Sequence, residues 1–298
     1  MIMPWTVTVN NQAYTIEQDK RLIDFLRDDL LLLSVKDGCS EGACGTCSVI
    51  ADGRLVKSCL QKVSAYDGAH ITTVEGMSPR EKEVYVYAFG EAGAVQCGYC
   101  TPGMVMAAKA LLDKNPAPSR GEIAKALVGN LCRCTGYKKI IDAIEIAAGL
   151  LRSEAGIPEQ SDTASLSDRH HRVDVAEKVL GTGKFPDDYH FDGMIYGRAL
   201  RSKYPRARVN RIDIAKALQH PDCVTVLTAA DVPQNKIGHI VQDWDVMIRE
   251  GDITHYIGDA VALAAASKKE SLQEILDLIE VDYTELPPVL DPFDAMKE

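Results

Sequence analysis

At the start of the chain, apolar and polar positions alternate over short runs broken by turn residues. Trp5 to Val9 reads as a strand, Asn10-Asn11 as a turn, and Gln12 to Ile16 as the returning strand. Leu22, Phe25, Leu26 and Leu30 then recur at helical spacing over Arg21 to Leu30. Ser48 to Ile50 and Leu55 to Lys57 flank Asp52-Gly53, a strong hairpin signal, and Ile71 to Val74 gives a last short strand. These elements predict a small mixed sheet with one helix packed on it.

From Ser78 the pattern turns helical. Ser78-Pro79-Arg80-Glu81 is a capping box with proline at the first helical position, and Ser119-Arg120-Gly121-Glu122 is a second box. Thr101 and Thr135 are placed to N-cap two returning helices, Pro102 to Lys114 and about Gly136 to Arg152. Two such αα-hairpins predict a four-helix bundle. Ser153 to Arg169 is polar, contains Pro158 and reads as a linker. Beyond it Met194 to Leu200, Val224 to Thr228, Ile257 to Ala266 and Leu278 to Tyr283 read as strands. Ile212 to Leu218 reads as a short helix, Ser267-Lys268-Lys269-Glu270 as a third capping box, and Pro287-Pro288 as the end of regular structure. The expected fold class is a multidomain α+β chain: residues 1–77, 78–152, a linker at 153–172, and 173–298.

Composition changes this picture little. The 298 residues are 46% hydrophobic and 26% charged, enough to bury real cores. A net charge of −10 argues against nucleic acid or an anionic membrane as partner. The start of the chain lacks the pattern of an export signal, and no apolar run is long enough for membrane insertion.

The cysteines change it most. Eight of the nine fall into two sets of four: Cys39, Cys44, Cys47 and Cys59, and Cys97, Cys100, Cys132 and Cys134. The first set reads C-x4-C-x2-C with a later fourth thiol, the spacing of a plant-type 2Fe–2S site. Gly38, Gly42 and Gly45 supply the backbone freedom such a loop requires. The second set is a C-x2-C and a C-x-C at expected helix starts, where unpaired N–H groups and the helix dipole suit an anionic cluster. Structural zinc is the competing reading; it fits the glycine-rich first set poorly, and the C-x-C pair of the second is less diagnostic. Paired short spacings in a chain without a leader point to metal ligands in a reducing cytoplasm, not disulfides.

Three stretches carry a resemblance. Gly38-Cys39-Ser40-Glu41-Gly42-Ala43-Cys44-Gly45-Thr46-Cys47, Gln96-Cys97-Gly98-Tyr99-Cys100-Thr101-Pro102-Gly103-Met104 and Gly129-Asn130-Leu131-Cys132-Arg133-Cys134-Thr135-Gly136-Tyr137 resemble the iron–sulfur part of the molybdenum hydroxylases, the family of xanthine dehydrogenase and aldehyde oxidoreductase. The likeness covers residues 1 to about 152 and implies a ferredoxin-like β-grasp domain followed by a helical bundle, each with a 2Fe–2S cluster. Lys178 to Lys184, Val224 to Pro233, Tyr256 to Ala262 and Ile279 to Leu290 resemble the family's α/β hammerhead domain. The resemblance further implies that Gln96 and Cys134 approach the pterin of the molybdenum cofactor. It implies a molybdopterin-binding large subunit, or a continuation of the same polypeptide, beyond Glu298, and FAD on a separate subunit. Catalytic residues of the family lie in that further part, so none is assigned here.

The expected function is electron transfer, from the molybdopterin site through the bundle cluster and then the ferredoxin-type cluster to a flavin or other acceptor, during hydroxylation of an N-heterocycle or an aldehyde. A freestanding two-cluster ferredoxin and a zinc-stabilised interaction module are the alternatives. Other features are set aside: Cys223 as a small buried hydrophobe, His170-His171 as solvated linker, and Asp28-Asp29, Glu81 and Glu83 as solvated or helix-start acids. The Gly-Thr-Gly within Lys178 to Lys184 lacks the strand and helix of a phosphate loop. Residues 153–298 contain no nucleophile–base constellation, and the last domain is expected to pack against a partner.

Overall fold

The computed structural model describes residues 4–153, 156–158 and 170–297. The chain divides into two compact units, residues 1–189 and 190–298.

The first unit opens with strands β1 (Trp5–Val9) and β2 (Gln12–Ile16), joined by Asn10 and Asn11 at φ 50° and 70°, the twist a tight hairpin needs. A short helix, α1 (Leu22–Asp24), runs directly into a wide turn over Phe25–Asp29. Strands β3 (Ser48–Ala51), β4 (Arg54–Lys57) and β5 (His70–Thr72) complete a five-stranded sheet in the order β2-β1-β5-β3-β4. The β1–β5 pair is parallel and the others antiparallel, so the sheet is mixed as expected. Val7, Val9, Val49 and Ile71 meet Leu22, Ile23 and Leu26 in its core. Sheet and helix thereby hold the loop between Asp29 and Ser48 at one edge.

Helices α2 (Pro79–Glu91), α3 (Thr101–Leu112), α4 (Arg120–Ala126) and α5 (Lys138–Ser153) form the bundle. Both expected capping boxes are present: Ser78 and Ser119 each accept from a backbone N–H while Glu81 and Glu122 reach back. Thr101 is not a cap. It lies inside α3, whose N-cap is Cys100, and α5 begins three residues after Thr135. A fifth helix, α6 (Val175–Leu180), buries Val175 and Val179 in the same core. The expected boundary at residue 173 therefore differs from the observed division at 189/190, because apolar side chains of α6 pack on α2 and α3. His171, expected in a solvated linker, is packed: its ring lies 5.6 Å from that of Tyr87, and Nε2 is 3.3 Å from Glu91 Oε2. Residues 159–169 of the expected linker lie outside the described residues.

The second unit centres on β11 (Ala260–Ala266), a nearly fully buried strand between β6 (Tyr196–Arg201) and β8 (Cys223–Thr228). Helix α7 (Leu272–Asp277) covers it with Leu272, Ile275 and Leu276. Strand β12 (Glu280–Glu285) pairs with β7 (Ala207–Asp213), and β9 (Lys236–Ile237) with β10 (Trp244–Asp245). The expected helix over Ile212–Leu218 is not formed: Ile212 lies in β7 opposite Val281, and a single tight turn at Ala217–Gln219 follows. Ser267 does not cap α7 either; its hydroxyl donates to the Asp222 carbonyl, and the helix starts after Ser271. One more short helix, α8 (Pro292–Ala295), follows the two prolines. Cys223 is half-buried against the α7 core, and burial pushes its thiol pKa up. Among the described residues no helix is long and apolar enough to cross a membrane.

One buried ion cluster ties the end of the first unit to its sheet domain. Asp188 accepts from Arg27 Nη2 at 2.6 Å and from the Phe185 N–H at 2.9 Å, with Lys36 Nζ at 3.9 Å. Burial alone would raise the Asp188 carboxyl, but the Phe185 amide, Arg27 and Lys36 outweigh it and hold the pKa below the ordinary range. A depressed carboxylate stabilises the fold above its unfolded pKa, and that contribution is lost as pH falls through the folded value. Asp188→Asn leaves two cations uncompensated and is expected to cost about 3 kcal/mol near neutral pH. In urea unfolding, the gap between the two proteins should hold at neutral pH and narrow below about pH 4. A gap that stays constant into acid would show that the carboxylate charge is not what matters.

Candidate metal centres

The first set of thiols is built on a loop and a hairpin. Cys39 and Cys44 lie in the loop before β3, Cys47 directly precedes β3, and Cys59 sits in the tight turn Ser58–Leu60 after β4. The N–H and hydroxyl of Ser58 both donate to the Cys47 carbonyl, at 3.2 and 2.8 Å, which brings Cys59 beside Cys47. Both of these thiols are buried. Burial, and then the neighbouring Cys47 thiol, push Cys59 up to about 12. Cys39 behaves oppositely. The Cys44 N–H donates to its sulfur at 3.4 Å, the Glu41 and Ala43 amides add to this, and the thiol is lowered to about 7. Cys44 Sγ lies 3.3 Å from Thr46 Oγ1, which donates to the Lys36 carbonyl. Gly42 and Gly45 take the left-handed backbone expected of them; Gly38 does not, and Ser40 at φ 53° takes that role, held by Asp37.

The second set straddles the bundle. Cys97 and Cys100 precede α3, and Cys132 and Cys134 lie between α4 and α5. Cys97 and Cys134 are exposed, with their sulfurs 3.6 Å apart. Cys100 and Cys132 form an inner, half-buried pair. Burial pushes Cys100 upward, with Cys132 beside it adding to the effect. Burial also opposes ionisation of Cys132, but the Thr135 hydroxyl at 3.1 Å and the Thr135 and Cys134 amides prevail and lower its pKa. Thr135 thus donates to a thiol, while its hydroxyl oxygen accepts from the Tyr137 N–H just before α5. Gln96 is exposed beside Cys97.

Two side chains and one backbone amide, whose partners the sequence reading did not assign, join the two sets. Tyr99 Oη donates to the Asp37 carbonyl at 2.8 Å, and Asn130 Nδ2 to the Gly45 carbonyl at 2.8 Å. The Leu131 N–H donates to the Cys44 carbonyl, also at 2.8 Å. Tyr137 Oη accepts from the Cys132 N–H and donates to the Asn130 carbonyl. Their signal lay inside the thiol motifs, as hydrogen-bonding residues among small ones, but nothing in the spacing says what they bond to.

The donor chemistry fits two irons per site better than one zinc. The thiols come in pairs: Cys39 with Cys44, Cys47 with Cys59, Cys97 with Cys134, and Cys100 with Cys132. A 2Fe–2S cluster takes two thiolates on each iron, whereas zinc draws four onto one centre.

Comparison with known proteins supports the same chemistry. Residues 7–70 match a 2Fe–2S iron-sulfur cluster binding domain, and residues 73–145 a second 2Fe–2S binding domain. Residues 180–287 match the a/b hammerhead domain of aldehyde oxidase and xanthine dehydrogenase. The chain is 33% identical over 305 residues to an aldehyde oxidoreductase of Megalodesulfovibrio gigas, covering 94% of this chain and 33% of that protein. It is 52% identical over 144 residues to the nicotinate dehydrogenase small FeS subunit of Eubacterium barkeri, covering 47% of this chain and 92% of the subunit. The crystal structure of the aldehyde oxidoreductase from Desulfovibrio desulfuricans superposes with a TM-score of 0.88 at 30% identity, over 99% of this chain and 35% of that one. The chain thus spans about a third of the length of these aldehyde oxidoreductases.

The joint between the two sets is testable at Gly45. Its φ is +68°, and an added methyl would lie 2.3 Å from the Gly129 carbonyl oxygen. Gly53 has a similar φ of +72° with nothing within 4 Å. Gly53→Ala should therefore cost only the backbone term, about 1 kcal/mol, whereas Gly45→Ala should also force the loops apart and lower iron content at both sites. Equal melting temperatures and equal iron in the two variants would refute the close approach.

Proposed function

The chain belongs to the molybdenum hydroxylases, the family of xanthine dehydrogenase and aldehyde oxidoreductase, and we propose that it is the part of such an enzyme that carries electrons. The observation that supports this most directly is the grouping of eight thiols as four close pairs, two pairs to a site. Under this reading Cys39 and Cys44 hold one iron of a first 2Fe–2S cluster, and Cys47 and Cys59 hold the other. Cys97 with Cys134, and Cys100 with Cys132, hold the irons of a second. When bound, each cluster takes up and gives back a single electron.

The chain's own residues prepare the ligands. Amides of Cys44, Glu41 and Ala43 favour the thiolate of Cys39, and the Thr135 hydroxyl favours that of Cys132, so part of each donor set is poised in its metal-binding form. Burial of Cys47 and Cys59, and partial burial of Cys100, keeps water from the inner side of each site. Cys97, Cys134 and Gln96 are exposed, which suits contact with a group carried elsewhere. We assign Gln96 and Cys134 to the molybdopterin.

The reaction belongs to a molybdopterin-binding large subunit or further polypeptide: hydroxylation of an N-heterocycle or an aldehyde, as the names of the nicotinate and aldehyde relatives suggest. FAD is assigned to another subunit. All nine cysteines are free thiols, which suits a reducing cytoplasm. The 190–298 unit is assigned to contact with the molybdopterin-binding part.

Metal analysis of anaerobically prepared protein tests the reading: about four iron and four labile sulfide per chain are expected. Cys132→Ala should reduce iron to about two while leaving the first cluster's paramagnetic signal intact. Two zinc without sulfide would end the proposal.

A further inference from the structure

Between residues 171 and 188 the chain runs back over both thiol-bearing domains of the first unit. His171 packs on Gly90 of α2, and Val175 and Val179 enter the bundle core. The stem of Lys178 lies against Gly98, where a methyl would come within 2.5–2.8 Å of Lys178 Cδ, Cγ and Cβ. The Lys178 ammonium sits over the ring of Phe185 at 4.3 Å, and that ring packs edge-on against Tyr99 at 5.0 Å. Asp188 closes the stretch on Arg27 and Lys36. Gly98 and Tyr99 are the two residues between Cys97 and Cys100, so this strap lies directly on the loop that carries half of the second thiol set.

Arg172 makes the closest polar contact. Its Nη1 donates to the Gln96 carbonyl at 2.6 Å and, more weakly, to that of Val95 at 3.5 Å. The rest of the guanidinium is clamped by Asp174, with Nε and Nη2 bonded to its two carboxylate oxygens at 2.7 and 2.8 Å. A fork held on one side by a carboxylate has its remaining nitrogen fixed in direction. It is aimed at the backbone of the corner whose next residue, Cys97, is exposed.

We propose that this strap is a working part of the second thiol site, and that Arg172 is a positioning residue that fixes the Gln96–Cys97 corner and sets the reduction potential of the cluster held there. The inference rests on the cluster assignment made above. Two effects operate together. Tying down the carbonyls of residues 95 and 96 limits how far Cys97 can move from Cys134, which slows loss of iron from the exposed side. The cation also cancels Asp174. Without it, an uncompensated carboxylate stands beside the corner and disfavours the extra negative charge of the reduced cluster, so the potential falls.

The experiment is an EPR-monitored redox titration of the full chain, with any partner that purifies with it, alongside the rate of iron loss to a chelator. Arg172→Gln should move one cluster's potential to a more negative value, leave the other in place, and speed iron loss from that cluster several-fold. Arg172→Gln/Asp174→Asn should bring the potential part of the way back while iron loss stays fast, which separates charge from tethering. Arg172→Lys keeps the charge but not the fork, so it should hold the potential better than it holds the iron; it also provides the reading should the glutamine variant fold poorly. Unchanged potential and iron loss in a wild-type-like holoprotein would overturn the inference alone. Both potentials moving together would also overturn it, as general loosening. A wild-type chain lacking second-cluster iron fails the cluster assignment, and the inference with it.

Discussion

The Cys44 carbonyl accepts a hydrogen bond from the Leu131 amide, and the Gly45 carbonyl beside it accepts one from the Asn130 side chain. Those two bonds press a loop of the sheet domain against a loop of the bundle at the residues adjoining Cys44 and Cys132. The rest of the first unit serves that contact. The five-stranded sheet presents one loop at its edge, helices α3, α4 and α5 present the other, and Gly45 lacks the side chain that would hold them apart. Buried carbonyls are costly to leave unpaired, so the junction is specific as well as close. Two domains with separate cores thereby become one body at the place where their thiols lie.

Each site is divided in a similar way. In the first, Cys47 and Cys59 are buried and Cys39 and Cys44 are half-exposed; in the second, Cys100 and Cys132 are half-buried and Cys97 and Cys134 are exposed. Amide and hydroxyl donors lower Cys39 in the first site and Cys132 in the second, while burial raises Cys59 and Cys100. A donor set tuned in opposite directions needs metal to bring all four thiols to the ionised state, and binding must release the protons of the raised ones. Folding and metal loading are coupled through those buried sulfurs more than through the outer ones.

How far the sequence foretold this depends on what each signal encodes. Asn10-Asn11, Asp52-Gly53 and the boxes at Ser78 and Ser119 are local devices whose geometry is complete within a few residues, and each formed as read. Thiol spacing is nearly as local, because a small cluster can collect ligands only from a sharply turning chain. Tertiary competition decided the failures. Thr101 fits a cap pattern, yet Cys100 occupies the cap position; Ser267 fits one too, but the Asp222 carbonyl captures its hydroxyl. Ile212 looked helical because its strand partner, Val281, lies far along the chain. Residues 173–189 read as the start of a new domain because a short amphipathic helix does not say which core it will join. Tyr99, Asn130 and Arg172 act through backbone carbonyls of distant residues, and no spacing rule records a carbonyl.

The strap overlaps the expected linker only at His171 and Arg172, and it does not behave as a continuation of it. A linker needs reach and flexibility. From His171 to Asp188 the chain instead makes contacts that depend on the partner's shape, with a histidine over Gly90, a lysine stem over Gly98 and a carboxylate between Arg27 and Lys36. The Asp188 cluster is buried, and breaking it strands two cations away from water. The ion cluster at the strap's end fixes where it stops, and α6 fixes its middle in the bundle core. Arg172, before α6, is thus delivered to the Gln96 carbonyl by packing rather than by its own bond, which alone would be too weak to order an exposed segment. Stability of the strap and placement of the outer thiol pair are therefore one physical problem, solved by the same eighteen or so residues.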